Sequence, residues 1–390
     1  MFILSIWFLF LLCCRREKSG AVAMLLILGG TVSCQHRQQY PVDLSACLKP
    51  IDDPMHLKPL LESAFVAAGP QIFVSIQRTL TWTGSDLASD HLSLDSSMIG
   101  AAATRQGLME MRRALNESTS ASSFADFVLE HFSIFQAIGN DGAGEVLFTA
   151  YFAPSYAASH KQGQQYQWPL YSEPSGSVDV TKLSRRELQH SGVLDGYEIA
   201  WLANELDAYL VHVNGSAELT MTDGSVMCVG HVRTNEFPYM SIGKRLIAEG
   251  YVSADKMSMQ AIRRLHNKNP KAVSDMMVQN DRFVFFESIP SADFPRSALG
   301  IALTPEASFA TDRSCFPPGG LGLISTTMPS SEGCLESFIR IMVDQDTGGA
   351  IQGPGRADIY LGIGAEAGAR AGLQKSNGTL YYLLPKSVSQ

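Results

Sequence analysis

Glycine and proline cut the C-terminal quarter of the chain into short apolar runs, and this punctuation limits the possible folds more than any other feature. The runs at 299–303, 308–310, 323–326, 339–343, 359–361 and 381–384 are each too short for a helix and follow one another closely. Short strands so spaced, with glycines to turn the corners, predict a small closed barrel rather than an open sheet.

Upstream the pattern changes. Phe124, Phe127, Val128, Phe132 and Phe135 recur at helical spacing, and the Ala-rich stretch 100–115 has few breakers, so the N-terminal third reads as helix. The Ser- and Asp-rich stretch 85–97 reads as a loop. Strands are expected at 145–152, ended by Pro154, and from Leu170-Tyr171. The alternating run 217–221, the turn Asp223-Gly224 and the positions Val226, Cys228 and Val232 predict a hairpin. Helices follow at 242–249 and 257–268, the second stopped by Pro270, and 283–286 reads as a buried strand. The class is mainly β with α, that is α+β.

A net charge of −8 argues against a nucleic-acid binder, which needs a basic face to neutralise phosphates. Two apolar runs, 1–14 and 21–30, flank Arg15-Arg16-Glu17-Lys18, and the second ends in Thr31-Val32-Ser33-Cys34. Neither reaches the ~18 residues of a spanning helix. Basic residues, a short apolar stretch, small residues and a cysteine read as a bacterial lipoprotein signal lipidated at Cys34. The alternative is a simple membrane anchor. Either way, the body from about residue 35 is exported and held at a membrane. The later cysteines, Cys47, Cys228, Cys315 and Cys334, contain no CxxC pair, and no two of the nine histidines stand at ligand spacing. No metal and no cofactor are expected. A Cys315–Cys334 disulfide and four buried thiols are both open.

The distinctive segment runs from Asp344 to Asp358. Asp346 precedes Gly348 and Gly349, and Asp358 lies at the start of an apolar run. A third acid, Asp312, stands before Arg313. Carboxylates at strand ends beside glycines suit acid/base work, and they equally suit turns. Spacing alone does not rank the three.

Seven motifs in order resemble the membrane-bound lytic murein transglycosylase A family and its three-aspartate domain. They are the segment 148–154 with Thr149 and Tyr151, Trp168-Pro169-Leu170-Tyr171, the segment 239–243 with Tyr239, the segment 257–263, Phe283-Val284-Phe285-Phe286, Asp312-Arg313 with Pro317-Pro318-Gly319, and the segment 346–358. Together they span roughly residues 145–385. The resemblance implies a double-psi β-barrel formed by 35–154 and 291–390, after a leader at 1–34. A smaller β-domain inserted at 155–290 would form the other wall of a glycan groove. It implies a lytic transglycosylase that cuts between N-acetylmuramic acid and N-acetylglucosamine in peptidoglycan. Asp358 would be the single acid/base, with Asp346 raising its pKa or orienting it. Thr149, Tyr151, Gly348, Gly349 and Tyr239 would meet the glycan, and Asp312 would brace a loop. One acid suffices because the 6-hydroxyl of the muramic acid is itself the nucleophile; an ordinary glycosidase needs two carboxylates. The partners implied are glycan strands, a membrane reached through the N-terminus on the periplasmic face of the outer membrane, and a wall-remodelling complex. The chain departs from the family pattern at Ala150-Tyr151-Phe152, at 213–217 and at 232–237, where Asn235 is kept.

Two rivals remain. Asp346-Thr347-Gly348 spells the aspartic-protease triplet, but that chemistry needs two such aspartates, and one triplet is present. A non-catalytic peptidoglycan-binding protein on the same fold is the stronger alternative, against which stands the retention of both Asp346 and Asp358.

Overall fold

The computed structural model describes residues 46–85, 100–176, 178–330, 332–348 and 351–386. The leader with Cys34, nearly all of the stretch 85–97, and Gly349 lie outside the described residues. The chain forms two compact units, one running to Pro154 and resuming at Pro290, the other Ser155–Ile289.

The first unit begins with β1 (Leu48–Pro50) and the helices α1 (Lys58–Val66), α2 (Pro70–Thr83), α3 (Ala101–Glu117) and α4 (Ala121–His131), then β2 (Phe132–Ala137) and β3 (Val146–Ala153). A capping box between Ser120 and Ser123 starts α4. The helix stops at His131, so Phe132 and Phe135 are strand residues and not the last turns of a helix. Phe132 still packs into the core beneath the helices while Phe135 packs against the barrel core. Apolar spacing alone cannot see that boundary.

The second unit contains β4 (Ser155–Ser159), β5 (Trp168–Tyr171), α5 (Arg185–His190), β6 (Glu198–Leu202), α6 (Glu205–Asn214), β7 (Ser216–Met221), β8 (Val226–Thr234), α7 (Ile242–Ala248), α8 (Met259–Lys268), α9 (Pro270–Val278) and β9 (Val284–Ile289). Its strands make one sheet in the order β5-β6-β4-β7-β8-β9. Gly224 turns the β7–β8 hairpin at φ +83°. Pro270 opens a second helix as well as ending the first. Asn269 closes α8 and its side chain caps α9, where proline's missing N–H would have had no partner in any case. The buried amide of Asn235 donates to the carbonyls of Leu183 (2.9 Å) and Asp281 (2.7 Å) and accepts from the Phe283 N–H (2.7 Å). It staples loops of the insert together.

The chain returns through β10 (Ser308–Ala310), β11 (Leu321–Pro329), β12 (Leu335–Asp346), β13 (Arg356–Ile363), α10 (Gly364–Leu373) and β14 (Lys375–Pro385). The run 299–303 is not a strand; it makes one isolated bridge, Arg296 to Ala302, and its Leu303 carbonyl is held by the Arg78 guanidinium at 2.9 Å. The strands β14-β11-β12-β10-β13-β3 are paired in sequence, and β3 pairs back to β14, closing a six-stranded barrel with β2 and β1 alongside. Two of the pairs, β10–β12 and β13–β3, are parallel.

Both faces of these strands are covered. Leu323, Ile341, Val343, Tyr381 and Leu383 meet the helices, while Ile324, Met342, Leu380 and Tyr382 fill the barrel. Strands buried on two sides lose the polar alternation that marks a half-exposed strand. β12 and β14 are longer than the apolar runs suggest because their first residues, 335–337 and 375–379, continue the ladder in more exposed surroundings.

Cys47, Cys228 and Cys315 are buried and Cys334 is exposed, all as free thiols. The Cys315–Cys334 disulfide is not formed. Cys315 packs in the barrel core with Cys47, whereas Cys334 sits in the turn joining β11 to β12, where its carbonyl accepts from the Ser330 N–H.

Candidate active site

Register places the site. Asp358 on β13 pairs with Thr149 on β3 and with Ala310 on β10, and Ala310 pairs with Asp346 on β12. The four residues form one row across adjacent strands. Two strand spacings separate the aspartate backbones, roughly 10 Å, and the residue between them is the small Ala310.

Asp358 and Asp346 are each 2 % exposed. The Thr149 hydroxyl donates to Asp358 Oδ1. The Arg356 guanidinium lies 3.6 Å from the same oxygen. Burial pushes the Asp358 carboxyl up to about 6, against the pull of Arg356 and with a smaller push from Asp346. Asp346 accepts from the Tyr151 hydroxyl at 3.0 Å and from the Ala298 N–H at 2.8 Å. Burial raises its carboxyl too, and those hydrogen bonds oppose the rise. Tyr151 reaches across from β3 to β12, its ring 5.4 Å from that of Tyr360.

Thr149, Tyr151, Asp346 and Asp358 are therefore brought together. Gly348 lies two residues after Asp346, and its carbonyl accepts from the Ile351 N–H. Asp312 stands apart from the row. It accepts from Ser314 (2.9 Å to the N–H, 2.7 Å to the hydroxyl) and from the Gly353 N–H (2.7 Å), which ties its loop to the segment leading into Asp358. Tyr239 belongs to the insert, where it is half-buried against a cluster that includes Leu206, Tyr209 and Ile242.

One feature was not visible in the residue pattern. Asp344 is fully buried, accepts from Thr311 and Tyr382, and pairs with Arg313 at 2.9 Å. Arg313 also donates to the Asp346 carbonyl at 2.7 Å. The available signal was an acid two residues from Asp346 at the end of an apolar run, which reads equally well as a strand end. Among the described residues no cluster of His, Cys, Asp and Glu could hold a metal ion.

A closed barrel carrying three buried aspartates, with burial raising the Asp358 carboxyl to about 6, has the equipment for acid/base chemistry. The MltA specific insert domain matches residues 147–287 and the 3D domain matches residues 307–384. The membrane-bound lytic murein transglycosylase A of Escherichia coli K12 is 36 % identical over 253 residues, 64 % of this chain and 68 % of that protein. The Vibrio cholerae protein of the same name is 34 % identical over 252 residues, 63 % and 67 %. Among solved structures, E. coli MltA with bound chitohexaose superposes with a TM-score of 0.65 at 29 % identity, covering 86 % of this chain and 93 % of that one. The lytic transglycosylase LtgG of Burkholderia pseudomallei gives 0.59 at 32 % identity, covering 87 % and 96 %. The chain belongs to the membrane-bound lytic murein transglycosylase A family. It is a peptidoglycan lytic transglycosylase.

Proposed function

We propose that Asp358 is the enzyme's single acid/base and that it cuts the β-1,4 bond between N-acetylmuramic acid and N-acetylglucosamine. The observation that carries this is its buried carboxyl, held by Thr149 and poised at about 6. Such a group keeps a proton to give and can take one back near neutral pH. Asp358 protonates the glycosidic oxygen and the C1–O bond breaks. The 6-hydroxyl of the same muramic acid then attacks C1 and yields its proton to the Asp358 carboxylate, closing a 1,6-anhydro ring. The nucleophile is already attached, an advantage that reaches ~7–11 kcal/mol in well-oriented systems.

Asp346, tied by Tyr151 and the Ala298 N–H, is the fixed neighbour that sets the charge around Asp358 and positions the sugar with Gly348 and Gly349. Both carboxylates are buried. Tyr239 is assigned to more distant glycan contacts, and Asp312 to bracing the loop before Asp358. Lipidation at Cys34 would hold the body at the periplasmic face of the outer membrane, within reach of glycan strands and of a wall-remodelling complex.

The test is Asp358→Asn against purified sacculi, read by mass spectrometry. The native body from residue 35 releases anhydro-muropeptides and the variant releases none while still sedimenting with sacculi. Release by the variant at the native rate removes Asp358 from this role. Binding without release by the native protein favours the non-catalytic alternative.

A further inference from the structure

Side chains alternate along a strand, so Arg356 and Tyr360 share the side of β13 that Asp358 takes, while Ala357, Ile359 and Leu361 enter the barrel core. The Arg356 side chain is 12 % exposed and its Nη2 is 3.6 Å from Asp358 Oδ1. Its backbone is fixed on both sides. The Gly355 carbonyl accepts from the Leu147 N–H at 2.9 Å, Arg356 pairs with Leu147, and Asp312 pins Gly353. The backbone that carries the guanidinium to the carboxylate is thus fixed.

The other groups around Asp358 are accounted for. Asp346 on β12 is tied to Tyr151 and to the Ala298 N–H. Tyr151 on β3 and Tyr360 on β13 bring phenol rings, 5.4 Å apart. β10 contributes Ala310. Arg313 is committed to Asp344 and to the Asp346 carbonyl. Among the described residues Arg356 is the cation at ion-pair distance from Asp358.

We propose that Arg356 is a positioning residue for catalysis, holding the Asp358 carboxylate in the interval between giving its proton to the glycosidic oxygen and taking one from the 6-hydroxyl. The inference rests on the acid/base reading of Asp358. The two half-reactions make opposite demands on one group. Burial and Asp346 both favour the protonated form, so without an opposing charge Asp358 would keep its proton and make a poor donor. Arg356 supplies that charge in a desolvated place, where it acts strongly. No proton is lost to Arg356 and none is gained from it; the guanidinium stays charged throughout.

The experiment compares Arg356→Gln, Arg356→Met and Arg356→Lys with the native enzyme and with Asp358→Asn. The readout is the rate of anhydro-muropeptide release from sacculi as a function of pH, with thermal melting as a check on folding. In the native enzyme release falls as pH rises past the Asp358 pKa. In the Gln and Met variants the low-pH rate drops and the falling limb moves up by about 1–3 pH units, the span expected when a carboxyl loses a cation at this range. Lys restores the charge and returns the limb towards its native position. A folded Gln or Met variant whose limb stays in place overturns the proposal. The Met variant, which keeps the apolar stem, decides the matter if Gln does not fold. If Asp358→Asn itself turns over at the native rate, the acid/base reading fails first, whatever Arg356 does.

Discussion

At the scale of single residues, Asp358 illustrates how an active-site carboxyl is maintained against the stability of the fold. Its pKa is about 6 in the folded chain and about 3.9 unfolded. Between these values the folded state holds the extra proton, so the stability this group contributes is full below pH ~3.9 and is lost as pH rises through 6. Above that, folding carries the cost of a buried carboxylate. Asp358→Asn removes the ionisation and keeps the shape. It should therefore be more stable than the native protein at pH 8, by up to about 3 kcal/mol, with the difference shrinking towards pH 4. Urea unfolding at both pH values measures it; a variant less stable at pH 8 contradicts the buried, raised carboxyl. By spacing alone Asp358 and Asp346 were two of three candidate acids, and the family resemblance singled out Asp358. Nothing in their spacing reveals that Thr149, two hundred residues earlier, donates to one and that Tyr151 donates to the other. Those partners come from strand register, which local pattern does not encode.

Among the elements, β12 does the most. Its last residues place Asp344, Gln345 and Asp346 in three buried polar environments in succession. Gln345 donates to the Ser75 carbonyl and the Thr79 hydroxyl, joining the strand to α2. Asp344 gathers Thr311, Tyr382 and Arg313, and Arg313 passes on to the Asp346 carbonyl. Asp344→Ala leaves the Arg313 charge and the Tyr382 hydroxyl unmatched, and breaking a buried pair in this way typically costs about 3–5 kcal/mol. Equilibrium unfolding should show a loss of that size, and one under about 1 kcal/mol would mean that the network does not support the strand. Gly322 on β11 shows the same close packing. A Cβ there would lie 2.7 Å from the Phe309 ring, so glycine is what lets β11 pack this closely on the Phe309 side chain of β10.

The whole molecule divides its labour between a barrel that holds the acids and an insert with its own sheet and its own hydrophobic clusters. Localisation is proposed to rest on the N-terminal leader. With Cys34 as the lipidated residue, Cys34→Ser in the full chain should lose label from palmitate and move from the membrane to the soluble fraction. The purified protein should keep its release of anhydro-muropeptides, since no group of the barrel site is changed. Membrane retention without label would favour the simple anchor instead.

The sequence by itself determined the strand-rich class, the glycine-marked barrel region, the hairpin at Asp223-Gly224 and, through seven ordered motifs, the family. Each depends on residues near one another in the chain, where spacing and turn chemistry act directly. Tertiary structure alone decided where α4 gives way to β2, how far β11, β12 and β14 extend, and that Cys315 meets Cys47 instead of Cys334. It also decided the row Thr149–Asp358–Ala310–Asp346 and the buried Asp344 network. These rest on the closure of a barrel whose strands are apolar on both faces. Which side chains then become neighbours, and how far their charges are desolvated, follows from pairing between segments far apart in sequence.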